Sequence, residues 1–315
     1  MFINTVSGQT FSASDSSIYL ADPAIFNFKG TYYLFGTVEE NANNGFVAYT
    51  STDLVKWKKP GQNNNSFALS KGNVFGNAKF WAPQVFLNGN SITMAYVADE
   101  NIAVATSEFP VGPFMQNDKR PLAASVKQID PFIFIDDDGK KYLYHVRLQD
   151  GNKIFVAEME PDLSAVKPAT LKECISATQS WENTTNAVWP VAEGPSVLKR
   201  GDTYFLFYTA NDFRNPDYAV GYATSKSPYG PWIKYEGNPI ISKKNIGVNG
   251  TGHGDFFTDS NNELHYVFHT HFSENKVWPR RTAMVNARFS LNLKSDQPTI
   301  EIDSKSFHYL FISKD

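Results

Sequence analysis

The chain of 315 residues has a single cysteine, Cys174. That excludes an internal disulfide and any cysteine-based zinc cluster, and the thiol reads as buried or incidental. No apolar run approaches the roughly 18 residues of a membrane span, so none is expected. Charged residues are few at 19%, and with a net charge of −3 there is no clustered positive surface for nucleic acid or an anionic membrane. The opening Met1-Phe2-Ile3-Asn4 lacks a basic segment followed by an apolar one. Two locations therefore stay open: cytoplasmic, or secreted or periplasmic with an export signal already removed. Helical periodicity is nearly missing as well, because no stretch keeps apolar residues at three- and four-residue spacing beyond two turns. No linker-like change of composition divides the chain. Residues 62–65 read as a loop within the first unit, and residues 1–315 as one domain.

Aromatic residues are what the chain does have: 25 Phe and 15 Tyr, a usage that favours strands and sugar-stacking surfaces. Five segments resemble one another, each a turn followed by an aromatic or β-branched strand. They begin at Gly30, Asn90, Gly139, Gly201 and Asn262. Aligned on Tyr33, Thr93, Tyr142, Tyr204 and His265, they recur at spacings of 60, 49, 62 and 61 residues. An inner strand precedes each turn, from about Ala24, Gln84, Phe132, Ser196 and Asp255. A third strand follows, and an aromatic such as Trp57, Phe114 or Trp232 opens a fourth. Four short antiparallel strands per unit, repeated five times, predict an all-β, five-bladed β-propeller around a central tunnel.

Acidic motifs lead into three inner strands: Asp22-Pro23-Ala24-Ile25, Asp130-Pro131-Phe132-Ile133 and Glu193-Gly194-Pro195-Ser196. Each alone is a common turn signal. Ordered on units one, three and four of a closed ring, they converge on one pocket. Converging carboxyls suit acid/base hydrolysis of a glycosidic bond. One protonated acid serves the leaving oxygen and one ionised base activates water, about 6.5 to 9.5 Å apart in the inverting geometry.

Over nearly the whole chain these motifs resemble the five-bladed glycoside hydrolases of family 43, which include arabinanases, α-L-arabinofuranosidases and β-xylosidases. The resemblance implies Asp22 as general base, Glu193 as general acid and Asp130 as the residue that tunes the acid. An ionised Asp130 beside Glu193 would help keep it protonated. Phe80-Trp81-Ala82-Pro83 is similar to the family's second-blade element, which would put Trp81 against the sugar, and Phe132 is a further substrate-binding candidate. Gly252-His253-Gly254 resembles the fifth-blade element whose histidine helps organise a cation, often calcium, through water. Arg281, in Pro279-Arg280-Arg281-Thr282, resembles the late arginine that reaches the sugar, with Arg280 leaving the register open. No organic cofactor is implied.

His265, His269 and His271 lack flanking ligands of the right type, so zinc is not expected there. Asp136-Asp137-Asp138-Gly139 reads as a hairpin turn because the acidic residue that would close a calcium loop is replaced by Gln149. The motifs leave two rivals to an arabinose- or xylose-directed hydrolase. One is a non-catalytic carbohydrate-binding propeller, and the other is a fructan- or mannoside-directed relative or phosphorylase. Ala21-Asp22-Pro23 and Ile129-Asp130-Pro131 depart from the fructan pattern, and the chain's end at Asp315 favours an arabinan-type or single-domain enzyme.

Overall fold

A computed structural model describes residues 16–58, 67–292 and 297–313. The loop expected at residues 62–65 and the opening segment 1–4 lie outside the described residues. The protein is a five-bladed β-propeller. Its five innermost strands are Ala21–Phe28, Trp81–Asn88, Gln128–Ile135, Ala192–Arg200 and Gly252–Thr258. Each is followed through a tight turn by an antiparallel neighbour: Thr31–Thr37, Ser91–Ala98, Lys141–Leu148, Thr203–Ala210 and Leu264–Thr270. These are the five repeats seen in the sequence, and the Asp136 to Gly139 segment is one of the turns.

Blades three, four and five are four-stranded sheets. Blades one and two carry three strands, with the fourth position reduced to the single bridges Thr50 to Lys58 and Thr106 to Met115. Helix is confined to short turns such as Lys243–Ile246, and no helix among the described residues is long and apolar enough to cross a membrane.

The aromatic content is explained by the packing between blades. Five hydrophobic clusters among the described residues lie one at each interface. Phe35, Phe80 and Phe114 join blades one and two; Leu143 and Val97 join two and three. Tyr144 and Tyr208 join three and four, Phe207 and Tyr266 join four and five, and Trp57 and Val267 join five and one. Because each blade is covered on both faces, a strand such as Thr203–Ala210 is buried along its entire length and shows no polar alternation. The ring closes where Ser16–Ser17 pairs with Phe311–Ile312 and Ile18 bonds both Leu310 and Thr282 of blade five. The half-buried Cys174 packs against the cluster between blades three and four, and burial pushes its thiol up to about 12.

Candidate active site

Every inner strand breaks register at the same level: between Ala21 and Ala24, Trp81 and Gln84, Ile129 and Phe132, Glu193 and Ser196, and Gly252 and Asp255. In four of them a proline, unable to donate to the ladder, sits in the bulge. In blade five the place is taken by Gly254, where a Cβ would come 1.8 Å from the Val267 carbonyl oxygen. The residue ahead of it adopts positive φ in all five blades: Asp22 (50°), Ala82 (44°), Asp130 (55°), Gly194 (58°) and His253 (42°). A non-glycine residue there costs free energy, and such strain gathers at functional sites. Asp22, Asp130 and His253 are thus equivalent positions, and Glu193 and Trp81 are equivalent positions one residue earlier.

Side chains of the preceding blade capture four of the five strained amides. Ala82 N–H donates to Thr37 Oγ1 at 3.0 Å, Gly194 N–H to Asp130 Oδ2 at 3.1 Å, His253 N–H to Thr209 Oγ1 at 2.9 Å and Asp22 N–H to His269 Nδ1 at 3.1 Å. This belt of bonds locks neighbouring blades and aims the acids inward. Held by the Ala82 amide, the Thr37 hydroxyl donates to Asp22 Oδ2 at 2.7 Å.

The acids face a cavity of about 510 Å³ whose wall includes Trp81, Trp189, Phe213, Trp278 and Arg280. Burial by itself would raise Asp22, but Arg280, His253 and the Thr37 hydroxyl together outweigh it and hold its carboxyl below the ordinary value. Arg280 Nη1 lies 3.3 Å from Asp22 Oδ1, while its Nε and backbone N–H both donate to Glu39 at 2.7 Å. Burial, then the charge of Asp22, pushes Asp130 up to about 8. Burial, then Asp130, pushes Glu193 up to about 7 against the opposing pull of His253, Tyr218 and Asn152. Tyr218 Oη donates to Glu193 Oε1 at 2.8 Å and Asn152 Nδ2 donates to Oε2 at 2.9 Å. Asn152 Oδ1 in turn accepts from the indole N–H of the half-exposed Trp189 at 2.9 Å. Of the three acids carried by the inner-strand motifs, Asp22 is therefore held toward its charged form beside arginine, while Asp130 and Glu193 are shifted toward their protonated forms.

Asp22, Asp130, Glu193, Trp81 and His253 meet in this pocket, as the sequence pattern anticipates. Two other candidates are placed elsewhere. Arg281 lies over the Tyr309 ring and donates to Ser17 Oγ at 3.4 Å, so it is the neighbouring Arg280 that faces the acids. Alternation along the strand separates the two, and the sequence could not set that register. Phe132 lines not that cavity but a smaller one, which it shares with Asp22, Asp130, His253 and the prolines Pro83, Pro131 and Pro195. Asp130 contributes the second cause of the upward shift at Glu193, through its charge, and is itself raised to about 8 by burial and Asp22. Its contact is with the Gly194 amide, one residue past Glu193, so it fixes the backbone that carries the acid. Thr37, Asn152, Trp189, Tyr218 and Glu39 carried no motif and were not expected in the site.

His253 Nδ1 lies 3.3 Å from Asp22 Oδ1 and 3.8 Å from Asp130 Oδ2. Those carboxylates are already bonded to Arg280, Thr37 and the Gly194 amide. The donor set around His253 therefore does not fit direct calcium coordination, which takes six to eight oxygens. Away from the pocket, and against the expectation that His265 lacks flanking ligands, the turn ahead of its strand brings Asp259 and Glu263 to it, and the three form a group that could hold a metal ion.

Residues 16–291 match the family described as Glycosyl hydrolases family 43. The fold superposes on the crystal structure of an endo-1,4-β-xylanase from Bacteroides thetaiotaomicron with a TM-score of 0.86 and 40% identity, over 96% of this chain and 100% of that one. Among curated relatives, a β-D-galactofuranosidase of Aspergillus niger is 24% identical over 86% of this chain and 79% of its own length. An arabinoxylan arabinofuranohydrolase of Bacillus subtilis is 27% identical over 69% of this chain, which spans 49% of that longer protein. The chain belongs to glycosyl hydrolase family 43.

Proposed function

We propose that the chain, read as one catalytic propeller domain, hydrolyses glycosidic bonds in arabinose- or xylose-containing plant polysaccharides or their oligosaccharides by single displacement with inversion. The observation that carries this reading is the split protonation of the pocket. Asp22 is held ionised by Arg280 while Glu193 is raised to about 7 in the same aromatic-walled cavity. Separated protonation states assign base and acid. Asp22 takes a proton from the attacking water. Glu193 gives its proton to the leaving oxygen, and Tyr218 and Asn152 keep the carboxyl turned toward the pocket. Asp130 positions Glu193 through the Gly194 amide. Trp81, Trp189 and Trp278 offer ring faces to the apolar side of a sugar.

The names of similar proteins support the substrate class, among them an endo-1,4-β-xylanase and two arabinoxylan arabinofuranohydrolases. A phosphorylase reading loses its support, since Arg280 is committed to Glu39 and Asp22 and Arg281 to Tyr309. A calcium ion near His253 would be held through water, and no catalytic step depends on it.

The test is a panel of arabinan, arabinoxylan, xylan and their aryl glycosides assayed with the native protein and with Glu193→Gln. Loss of general acid catalysis lowers kcat on polysaccharide by about 10²- to 10⁴-fold. Unchanged turnover in the variant would remove Glu193 from its role. Tight binding with no product from the native protein would make it a binding module.

A further inference from the structure

At the far end of the blade-five inner strand, about 20 Å along the chain from His253 at strand spacing, the turn after Thr258 gathers Asp259, Glu263 and His265. One ligand atom from each lies within 4.8 Å of the others. We propose that these three residues form a binding site for a divalent first-row transition ion of the zinc type, distinct from the catalytic pocket.

The observation that points to a ligand is the orientation of His265. Its side chain is 7% exposed and stacks on Phe257 with ring centroids 5.2 Å apart. Its Nδ1 lies 3.0 Å from Asn286 Oδ1, an atom that only accepts, so the ring proton sits on Nδ1. Nε2 then presents a lone pair. That nitrogen is buried, has no hydrogen-bond partner and faces Asp259 Oδ2 at 3.6 Å. A buried lone pair opposite a carboxylate oxygen is repulsive unless a cation lies between them, and the other contact of that oxygen is a long one from the exposed Asn261 Nδ2 at 3.4 Å. Asn286 supplies the outer hydrogen bond that characteristically orients a ligating imidazole.

The donor set selects the ion. One imidazole nitrogen with two carboxylates suits zinc and its neighbours, whereas calcium prefers an all-oxygen shell. Zinc bonds of about 2.1 Å place tetrahedral ligand atoms roughly 3.4 Å apart, so the 3.6 Å gap needs little closure. Water would complete the shell. Asp259 is already set by its other oxygen, Oδ1, which accepts the Asn261 and Glu263 amides at 2.9 and 2.8 Å. The same turn docks on blade one, where the Ser260 amide donates to Tyr32 Oη at 2.9 Å and Asn27 Nδ2 donates to the Thr258 carbonyl at 2.9 Å. An ion there stiffens the seam between the last blade and the first.

The test uses the full chain freed of metal with a chelator and titrated with zinc, then calcium, by calorimetry and thermal unfolding. The expected result is one zinc per chain and a raised Tm that calcium does not reproduce. Glu263→Gln, an exposed position, should weaken zinc by at least about 10-fold, as even loss of an outer partner does. Asp130→Asn should leave zinc affinity unchanged. Equal affinity in Glu263→Gln, loss of binding in Asp130→Asn, or a calcium effect matching that of zinc overturns the proposal. So does a long-range proton–nitrogen NMR spectrum of the metal-free protein that places the proton on Nε2 of His265.

Discussion

At the scale of residues, the catalytic pocket separates three carboxyls by what surrounds them. The proposed mechanism uses Asp22 ionised and Glu193 protonated. Rising pH removes the Glu193 proton, so kcat/KM should fall as pH passes about 7, and the acid limb should lie below the ordinary carboxylate range because Asp22 is depressed. The amide of Asn152 favours the charged form of Glu193. Asn152→Ala should therefore move the upper limb of the pH–rate profile to higher pH, and a shift downward would show that the limb belongs to another group. The acids, Trp81 and His253 were legible in sequence because their motifs recur in blade order. Arg280 was not, since its partner Glu39 is 241 residues away and nothing local distinguishes it from Arg281. Asn152 opens a strand just after the turn at Gly151, and Tyr218 sits in the loop ahead of Ala219–Ser225, and neither carries an acidic or repeated motif that ties it to Glu193.

At the scale of the strand, one bulge repeated five times turns a repeat into a site. Sequence patterning placed each inner strand's start after the proline or glycine, because those residues read as turn punctuation. The strands instead begin three or four residues earlier and run through the bulge, which is how residues that look like loop come to line the axis. Gly194 shows the constraint most sharply. Its φ is +58°, and a Cβ would lie 2.8 Å from His253 Cγ and 2.9 Å from Cδ2. Gly194→Ala should cost about 1–2 kcal/mol from backbone conformation alone, with the collision adding to it. It should also depress kcat by displacing His253 beside Asp22. Denaturant titration with parallel kinetics checks both, and a variant of native stability and activity would contradict this account of the bulge.

At the scale of the whole molecule, five blades were countable in sequence because each hairpin needs the same turn and buried aromatics fill every interface but the aliphatic one between blades two and three. The thinning of blades one and two was not visible, since Trp57 and Phe114 look like the start of outer strands but form single bridges or pack at interfaces. Nor was the seam, where residues 16–18 pair with the chain's other end. Leu310, 1% exposed in the cluster joining blades five and one, locks that seam. Leu310→Ala should lower unfolding free energy by about 2–5 kcal/mol, read from the urea midpoint, and a loss well under 1 kcal/mol would place ring closure elsewhere. The proposal that all this architecture serves is single displacement between Asp22 and Glu193. Proton NMR of the first sugar released, recorded before mutarotation, addresses it most directly. The inverted anomer should appear first, and initial release of the retained anomer would contradict the assignment of Asp22 as a base acting on water.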